Sequence, residues 1–182
     1  MFRRGFRPLR PFKRGLGSNA PQNVQRANAL MAEGKYMDAA GLFEEMARIN
    51  ESRIGRAPFM HLRAGEALSL AGELDQGLDQ FKLGMSQLAE VEKWQPLHNT
   101  GQRFINELRK AGHPQEAQEI VDYLKQVQST MPQGSLETIP HRAVLPAKCT
   151  GCGAPVRPDE VKWLDDVTAE CSFCGSTLRA ET

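Results

Sequence analysis

Four cysteines are the residues of this 182-residue chain whose type and spacing most clearly indicate chemistry. They form two Cys-x-x-Cys pairs, each followed directly by a glycine: Cys149, Cys152, Cys171 and Cys174. Two thiolates on one tight turn can bind the same ion, and a second such turn completes a tetrahedron. The distance between the two pairs lies within the range that is typical of zinc sites. The sequence therefore predicts one Zn²⁺ ion held by four cysteine ligands.

Other chemistries of paired cysteines fit the chain less well. Disulfides need an oxidising compartment, and no apolar segment typical of a secretory signal follows the basic start of the chain. A thioredoxin-like pair belongs between a strand and a helix, and neither pair has that context. Four thiolates fill the coordination shell, which favours a structural ion over a catalytic one. A redox-sensing role for the same zinc site stays open.

The segment around the cysteines, residues 148–182, predicts a small β module. Gly153 and Gly175 let the chain turn back after each pair, so that backbone amides can donate to the sulfurs. Between the pairs, the stretches EVKWLDD and VTAEC predict two strands joined by a turn. Two cysteine turns and a hairpin resemble a zinc ribbon. The few apolar residues of the segment indicate that the metal supplies most of its folding free energy.

The middle of the chain, residues 21–130, repeats one pattern three times around a glycine. Glycine just past a helix accepts the left-handed conformation that ends it. A small residue five positions later allows two antiparallel helices to approach closely, and a large apolar residue fills the groove between them. The leucine before the turn, the glycine, the small residue and the large apolar residue are Leu30, Gly34, Ala39 and Phe43, then Leu68, Gly72, Gly77 and Phe81, then Leu108, Gly112, Ala117 and Val121.

This pattern predicts three helix–turn–helix units, with helices over 20–33 and 37–50, 57–71 and 74–91, and 95–110 and 114–129. Pro58 and Pro114 suit the first turns of two helices, and Asp38 is a candidate cap for a third. The register resembles the tetratricopeptide repeat, although its glycines lie farther apart than the usual ~34 residues. The predicted fold class is mainly α, a solenoid of three tetratricopeptide-like units followed by a zinc ribbon. A plain six-helix bundle is the alternative.

The resemblance also implies a function. In tetratricopeptide repeats, the first helix of each unit lines a groove for extended peptides or partner helices. The positions that match this groove, and that imply a protein or peptide partner, are Asn28, Met31, Glu66, Ser69, Gln102, Asn106 and Arg109. The sequence has no phosphate-binding loop, nucleophile elbow or zinc-protease motif. We therefore expect a non-enzymatic adaptor to which the ribbon adds a docking module.

The first 20 residues predict a basic arm without regular structure, because prolines and glycines interrupt it. No acidic residue precedes Glu33, and the positive charges of the arm are Arg3, Arg4, Arg7, Arg10, Lys13 and Arg14. Phenylalanines among them suit an anionic surface, either nucleic acid (a ribosome included) or lipid headgroups. A solubilising tail without a partner is the plain alternative.

Residues 131–147 contain several prolines and predict a linker between the helices and the ribbon. No run of apolar residues is long enough for a membrane span. The expected location is the cytoplasm, where thiols stay reduced.

Overall fold

The computed structural model describes residues 20–50, 56–133 and 143–180. The six helices of this part are α1 (Ala20–Ala32), α2 (Tyr36–Ile49), α3 (Ala57–Ala71), α4 (Leu74–Glu90), α5 (Trp94–Lys110) and α6 (Pro114–Gln128). A small antiparallel sheet follows, with strands β1 (Lys162–Trp163), β2 (Thr168–Glu170) and β3 (Thr177–Arg179). The protein is therefore mainly α, with six packed helices and a small C-terminal sheet. The basic arm lies outside the described residues.

One kind of turn closes all three helical hairpins. Gly34, Gly72 and Gly112 have φ angles of 75°, 92° and 87°, in the left-handed region that a side chain disfavours. The residue after each glycine donates its N–H to the carbonyl of the leucine four positions before the glycine. These bonds measure 2.9, 3.0 and 2.9 Å and run from Lys35 to Leu30, Glu73 to Leu68 and His113 to Leu108. The prediction that these glycines end helices is confirmed.

A fourth turn of the same kind joins α4 to α5, and it contains no glycine. Glu92 takes the left-handed conformation there, with a φ of 56°. Lys93 N–H donates to the Leu88 carbonyl at 2.9 Å, which repeats the bond of the three hairpin turns. The sequence pattern placed a break between these helices but did not identify the turn, because it was built on glycine. The same turn geometry therefore occurs within all three helical hairpins and also between the second hairpin and the third.

The closest helix contact is between α3 and α4, where two glycines face each other. A Cβ atom at Gly65 would lie 2.6 Å from the carbonyl oxygen of Gly77 and 2.8 Å from the backbone nitrogen of Phe81. The Phe81 ring is fully buried and stacks on Phe104, with 3.8 Å between the ring centroids. The predicted roles of the small residue and the following aromatic residue are confirmed for this unit.

The predicted cap at α2 is wrong. Lys35, not Asp38, is the N-cap residue, and no side chain caps the helix start. Asp38 lies in the first turn, where its negative charge still interacts favourably with the helix dipole. Pro58 and Pro114 do occupy the first turns of α3 and α6, as predicted.

The C-terminal sheet has one more strand than the sequence predicted. β1 pairs with β2 and places Trp163 opposite Ala169, while β2 pairs with β3 and places Ala169 opposite Leu178. β3 has three residues, which is too short for an alternating pattern to reveal. Asp165 forms the tip of the first hairpin and accepts a hydrogen bond from the Val167 N–H at 2.9 Å.

The apolar core runs without interruption from the helices into the C-terminal part. Its buried members extend from Val24 in α1 to Leu178 in β3, and they include all four cysteines. Leu145 from the predicted linker is buried in the same core. The described parts of that linker, 131–133 and 143–147, contain no helix or strand. None of the described helices is long and apolar enough to cross a membrane.

Candidate metal centre

The fold brings the four cysteine sulfurs together. Cys149, Cys152, Cys171 and Cys174 are all buried, and their Sγ atoms lie within 4.8 Å of one another. The distance from Cys149 Sγ to Cys174 Sγ is 3.6 Å, and Cys152 Sγ to Cys171 Sγ is 3.9 Å. In the described part of the chain, no other His, Cys, Asp or Glu group gathers in this way. The arrangement can hold one metal ion with four sulfur ligands.

The two cysteine pairs are built alike. In the first, Gly153 N–H donates to the Cys149 carbonyl at 2.8 Å, and Cys149 N–H donates to the Ala154 carbonyl at 2.8 Å. In the second, Gly175 N–H donates to the Cys171 carbonyl at 2.8 Å, with a return bond of 2.9 Å from Cys171 to Ser176. We call these turns the first knuckle, residues 149–154, and the second knuckle, residues 171–176. Gly153 and Gly175 have φ angles of 72° and 75°, which explains the glycine after each pair.

Backbone amides of both knuckles donate to the cysteine sulfurs. Gly151 N–H lies 3.4 Å from Cys149 Sγ, and Ser176 N–H lies 3.5 Å from Cys174 Sγ. A further hydrogen bond of 3.1 Å joins Cys174 Sγ to Ser176 Oγ. Amide donors spread thiolate charge and stabilise a sulfur-bound metal, whereas in the Cys174–Ser176 bond the thiol is the donor. A Cβ atom at Gly151 would crowd the Ser176 side chain, whose hydroxyl would have to rotate away.

The thiols are electrostatically unequal when no cation is present. A hydrogen bond from Cys152 lowers the pKa of Cys171 to about 5, and the same bond raises the pKa of Cys152. Burial raises the pKa of Cys149. Four thiols this close cannot all ionise without a cation, because each new thiolate repels the others. Metal binding at this centre therefore releases protons, and acid favours metal loss.

Both knuckles contact the helices directly. The Cys152 carbonyl in the first knuckle accepts a hydrogen bond from Asn28 Nδ2 at 3.3 Å. Phe173 in the second knuckle packs edge-on against Phe59 of α3, with 5.9 Å between ring centroids. Arg56, at the start of α3, forms an ion pair of 3.3 Å with Glu170 at the end of β2. The metal centre is thus built against the helices rather than apart from them.

A buried ion-pair network continues this contact between the knuckles. The carboxylate of Glu160 lies 2.8 Å from the Arg103 guanidinium of α5 and accepts a hydrogen bond of 3.0 Å from the Thr100 hydroxyl. Arg157 pairs with Glu160 from its own segment at 3.3 Å. The Glu160 side chain is only 3% exposed, so its charge depends on these partners. One residue earlier in the chain, Asp159 accepts a 2.8 Å hydrogen bond from Asn99 Nδ2.

Glu66 of α3 extends the network. It pairs with Arg63 on its own helix and with Arg103 at 3.7 Å. Burial alone would raise the pKa of Glu66, but the charges of Arg63 and Arg103 outweigh it and hold that pKa below its ordinary value. Glu66 therefore stays ionised in the interior, and it links α3 to α5.

The predicted groove residues have different surroundings. Asn28 and Glu66 are engaged inside the protein, as described above, while Ser69 is half-buried and donates to the Gly65 carbonyl at 2.9 Å. Met31 is half-buried beside the core. The α5 residues Gln102, Asn106 and Arg109 are exposed. The sequence did not single out Asn99, Thr100, Arg103 or Glu160, because nothing in their local pattern shows that a distant segment completes their contacts.

The charged arm residues Arg3, Arg4, Arg7, Arg10, Lys13 and Arg14 lie outside the described residues. Two of the histidines have glutamine neighbours: His61 Nδ1 lies 2.8 Å from Gln80 Oε1, and His98 Nδ1 lies 2.7 Å from Gln128 Nε2.

Comparisons of the chain with protein-family models, with curated proteins and with solved structures found no match.

Proposed function

We propose that this protein is a non-enzymatic adaptor that binds a protein or peptide through a tetratricopeptide-like array of helices. The observation that carries the proposal is the repeated turn, in which a left-handed residue is followed by an N–H bonded to the leucine carbonyl. Repetition of one hairpin stacks helices side by side and creates an extended surface for binding. A cytoplasmic location is part of this proposal, since it keeps the cysteines reduced.

The metal of this proposal is a structural Zn²⁺ ion in a ribbon-like module. A tetrahedral ion with Zn–S bonds of about 2.3 Å places its sulfurs roughly 3.8 Å apart. Two of the six sulfur–sulfur distances, 3.6 and 3.9 Å, lie on either side of that value, and all six are within 4.8 Å. Four thiolates leave no position for water, so the ion holds the knuckles together and takes no substrate.

Elemental analysis of the purified protein tests the metal. We expect about one zinc per chain, and a Cys171→Ser/Cys174→Ser variant that loses it. Four sulfur ligands also suit iron, which would give a coloured protein. A colourless, metal-free wild-type protein, purified under reducing conditions, would contradict a metal site of either kind.

The partner surface is proposed to lie on the exposed side of α5, at Gln102, Asn106 and Arg109. Of the residues that match the repeat groove, these three are exposed, whereas Asn28 and Glu66 already bind other parts of the chain. Exposed amide and guanidinium groups can bind peptide carbonyls or a carboxylate without first breaking internal contacts. The partner is therefore expected to offer an extended segment or a carboxylate.

Replacing two of these residues together tests the surface. A tagged Asn106→Ala/Arg109→Ala protein should lose the partners that the wild type captures, as identified by mass spectrometry. The matched control is Lys125→Ala/Gln126→Ala, which alters two exposed residues of α6. Capture of the same partners by all three proteins would exclude the α5 surface.

A second candidate is a nucleic-acid-associated or ribosome-associated factor. The observation that favours it is the basic arm, which carries six Lys and Arg residues in its first 14 positions and no acid. Binding by such an arm neutralises phosphates and weakens steeply with salt. Deletion of residues 1–17 should abolish RNA binding at low salt and leave the α5 surface unaffected. If the intact chain binds neither RNA nor DNA at low salt, this candidate is wrong. An anionic membrane is a further target for the same arm, and anionic vesicles test it.

A further inference from the structure

The face of α5 that meets the C-terminal part has the chemistry of a binding site. Arg103 lies on the same side of the helix as Asn99 and Thr100, because positions three and four residues apart share a helix face. Two adjacent acidic residues of the distant segment, Asp159 and Glu160, fill this site. Asn99 Nδ2 donates to Asp159 at 2.8 Å, Thr100 Oγ1 donates to Glu160 at 3.0 Å, and Arg103 contacts Glu160 at 2.8 Å.

The site is largely buried, and its donors face two carboxylates. Thr100 is 2% exposed, and the whole of Glu160 is 4% exposed. Bonds from a guanidinium, an amide and a hydroxyl to carboxylates are charge-assisted and stronger than neutral ones. Within the described part of the chain, the buried Nε atom of Arg103 has no hydrogen-bond partner. The guanidinium therefore has a donor left that the chain's own acids do not use.

Filling of the site is linked to the metal centre. Asp159 and Glu160 lie between the two knuckles in the sequence, and each knuckle contacts a helix: the first through Asn28 and the second through Phe59. Loss of the metal unfolds the knuckles that hold this segment in place. The acidic pair is then presented by a flexible tether, and it competes less well for the site.

We propose that Asn99, Thr100 and Arg103 form a recognition site for two adjacent acidic residues. The chain's own Asp159–Glu160 pair occupies the site while the cysteine centre is intact, and an acidic peptide segment of a partner occupies it when the centre opens. The protein thus carries an internal mimic of its ligand. This inference rests on the contacts of α5 and of the two knuckles, and it is independent of the surface at Asn106 and Arg109.

A labelled peptide tests the site. The probe is a fluorescein-tagged peptide of residues 155–164, and a peptide with Asn and Gln in place of the two acids is its control. Fluorescence anisotropy compares the intact wild-type chain with the full-length Cys171→Ser/Cys174→Ser variant. This variant lacks both sulfur ligands of the second knuckle, so the knuckle opens whichever metal the protein binds. We expect the acidic peptide to bind the variant at least tenfold more tightly than it binds the wild type. The control peptide should bind neither protein.

Further changes in the open variant identify the site. Arg103→Ala should weaken peptide binding at least tenfold, and Asn99→Ala should weaken it severalfold. Gln102→Ala, which changes an exposed neighbour on the same helix, should leave it unchanged. Asn106→Ala/Arg109→Ala should also leave it unchanged, which separates this site from the proposed partner surface. Circular dichroism verifies that each variant keeps its helices, and Asn99→Ala decides the matter if Arg103→Ala does not fold.

Three results would overturn the proposal. The first is equal peptide binding by the wild type and the open variant. The second is binding that neither Arg103→Ala nor Asn99→Ala weakens. The third is loss of the helices in the open variant, because α5 would then offer no site once the cysteine centre is broken.

Discussion

Glu92 adopts, at a φ of 56°, a backbone conformation that the three hairpin turns assign to glycine. A side chain in this region costs of order 1 kcal/mol, because its Cβ crowds the backbone. The turn persists because Lys93 donates to the Leu88 carbonyl and so satisfies the end of α4. The residue in the left-handed position therefore sets the conformational cost of each turn. That cost is higher at Glu92 than at the three glycines.

Exchanges at two turns test that difference. Gly72→Ala should lower the free energy of unfolding by about 1 kcal/mol, since Gly72 has a φ of 92° and nothing within 4 Å that a methyl group could contact. Glu92→Gly should raise it by about 0.5 kcal/mol. Gly41→Ala is the control, because Gly41 lies inside α2 without a positive φ and should gain about 0.5–1 kcal/mol. Urea titration measures the free energy of unfolding of all three variants. If Glu92→Gly destabilised the protein, backbone strain at Glu92 would be contradicted.

Glu66 carries a buried negative charge inside the helical part. Its lowered pKa means that ionised Glu66 stabilises the fold above the ordinary glutamate value, about 4.3. That stabilisation is lost as the pH falls through the still lower pKa of the folded state. Arg63 and Arg103 supply the favourable interaction, and both would lose a partner if Glu66 were neutral.

Glu66→Gln should lower the free energy of unfolding by about 3 kcal/mol at pH 7, because Arg63 loses its buried carboxylate and Arg103 keeps only Glu160. The difference in free energy of unfolding between this variant and the wild type should stay constant down to about pH 4.3. It should become smaller below that pH, since protonated Glu66 resembles glutamine. Denaturant unfolding between pH 3 and 7 measures this. Glu45→Gln, at an exposed position, should show little difference at any pH. A difference that does not change with pH would refute the charged role of Glu66.

At the scale of elements, α3 and α4 pack most closely, because both helices contribute glycine to their contact. Gly65 faces backbone atoms of α4, which cannot move independently of that helix. Gly101 of α5 is less restricted, since a Cβ there would meet the Leu124 methyl groups at 3.3 Å. Side chains can adjust their rotamers, whereas a helix backbone must shift as a body.

The two glycines should therefore respond differently to the same change. Gly65→Ala should lower the free energy of unfolding by about 3 kcal/mol through overpacking of α3 against α4. Gly101→Ala should change it by less than about 1 kcal/mol, because repacking of Leu124 and the better helix propensity of alanine offset each other. Thermal and urea unfolding measure both. Equal effects would show that the α3–α4 contact is not as tight as the geometry indicates.

For the whole molecule, the main question is whether the helices and the cysteine centre fold as one unit. The sequence divides them by a linker, yet the buried apolar core and the network around Glu160 run across the division. The division into separately folding parts stays a prediction. The helical hairpins make local contacts of their own, and this favours their survival when the metal is removed.

Removal of the metal by a chelator should therefore unfold residues 149–178 and leave most helical circular dichroism intact. The helices should lose about 2 kcal/mol and melt roughly 10 °C lower, because Phe59 and the α5 face become exposed. The Cys171→Ser/Cys174→Ser variant should behave as the chelated protein does. A single transition, in which helical signal and metal are lost together, would contradict the division into two folding units.

The sequence by itself determined the helices and the cysteine set. Glycine turns, leucines and small residues follow rules that depend on near neighbours, so the predicted helix ends lie within one residue of those observed. The cysteine spacing likewise identified all four residues of the candidate metal centre. These features are local, and a linear pattern contains enough information to fix them.

Only the tertiary structure decided how the helices meet the cysteine centre. Asn99 and Thr100 lie 60 positions from the acidic residues that they bind, and Asn28 lies 124 positions from Cys152. No periodicity links residues that far apart, because their contact depends on the path of the whole chain. The same reason explains why Asn28 and Glu66, placed in an open groove by the sequence, are held by internal partners.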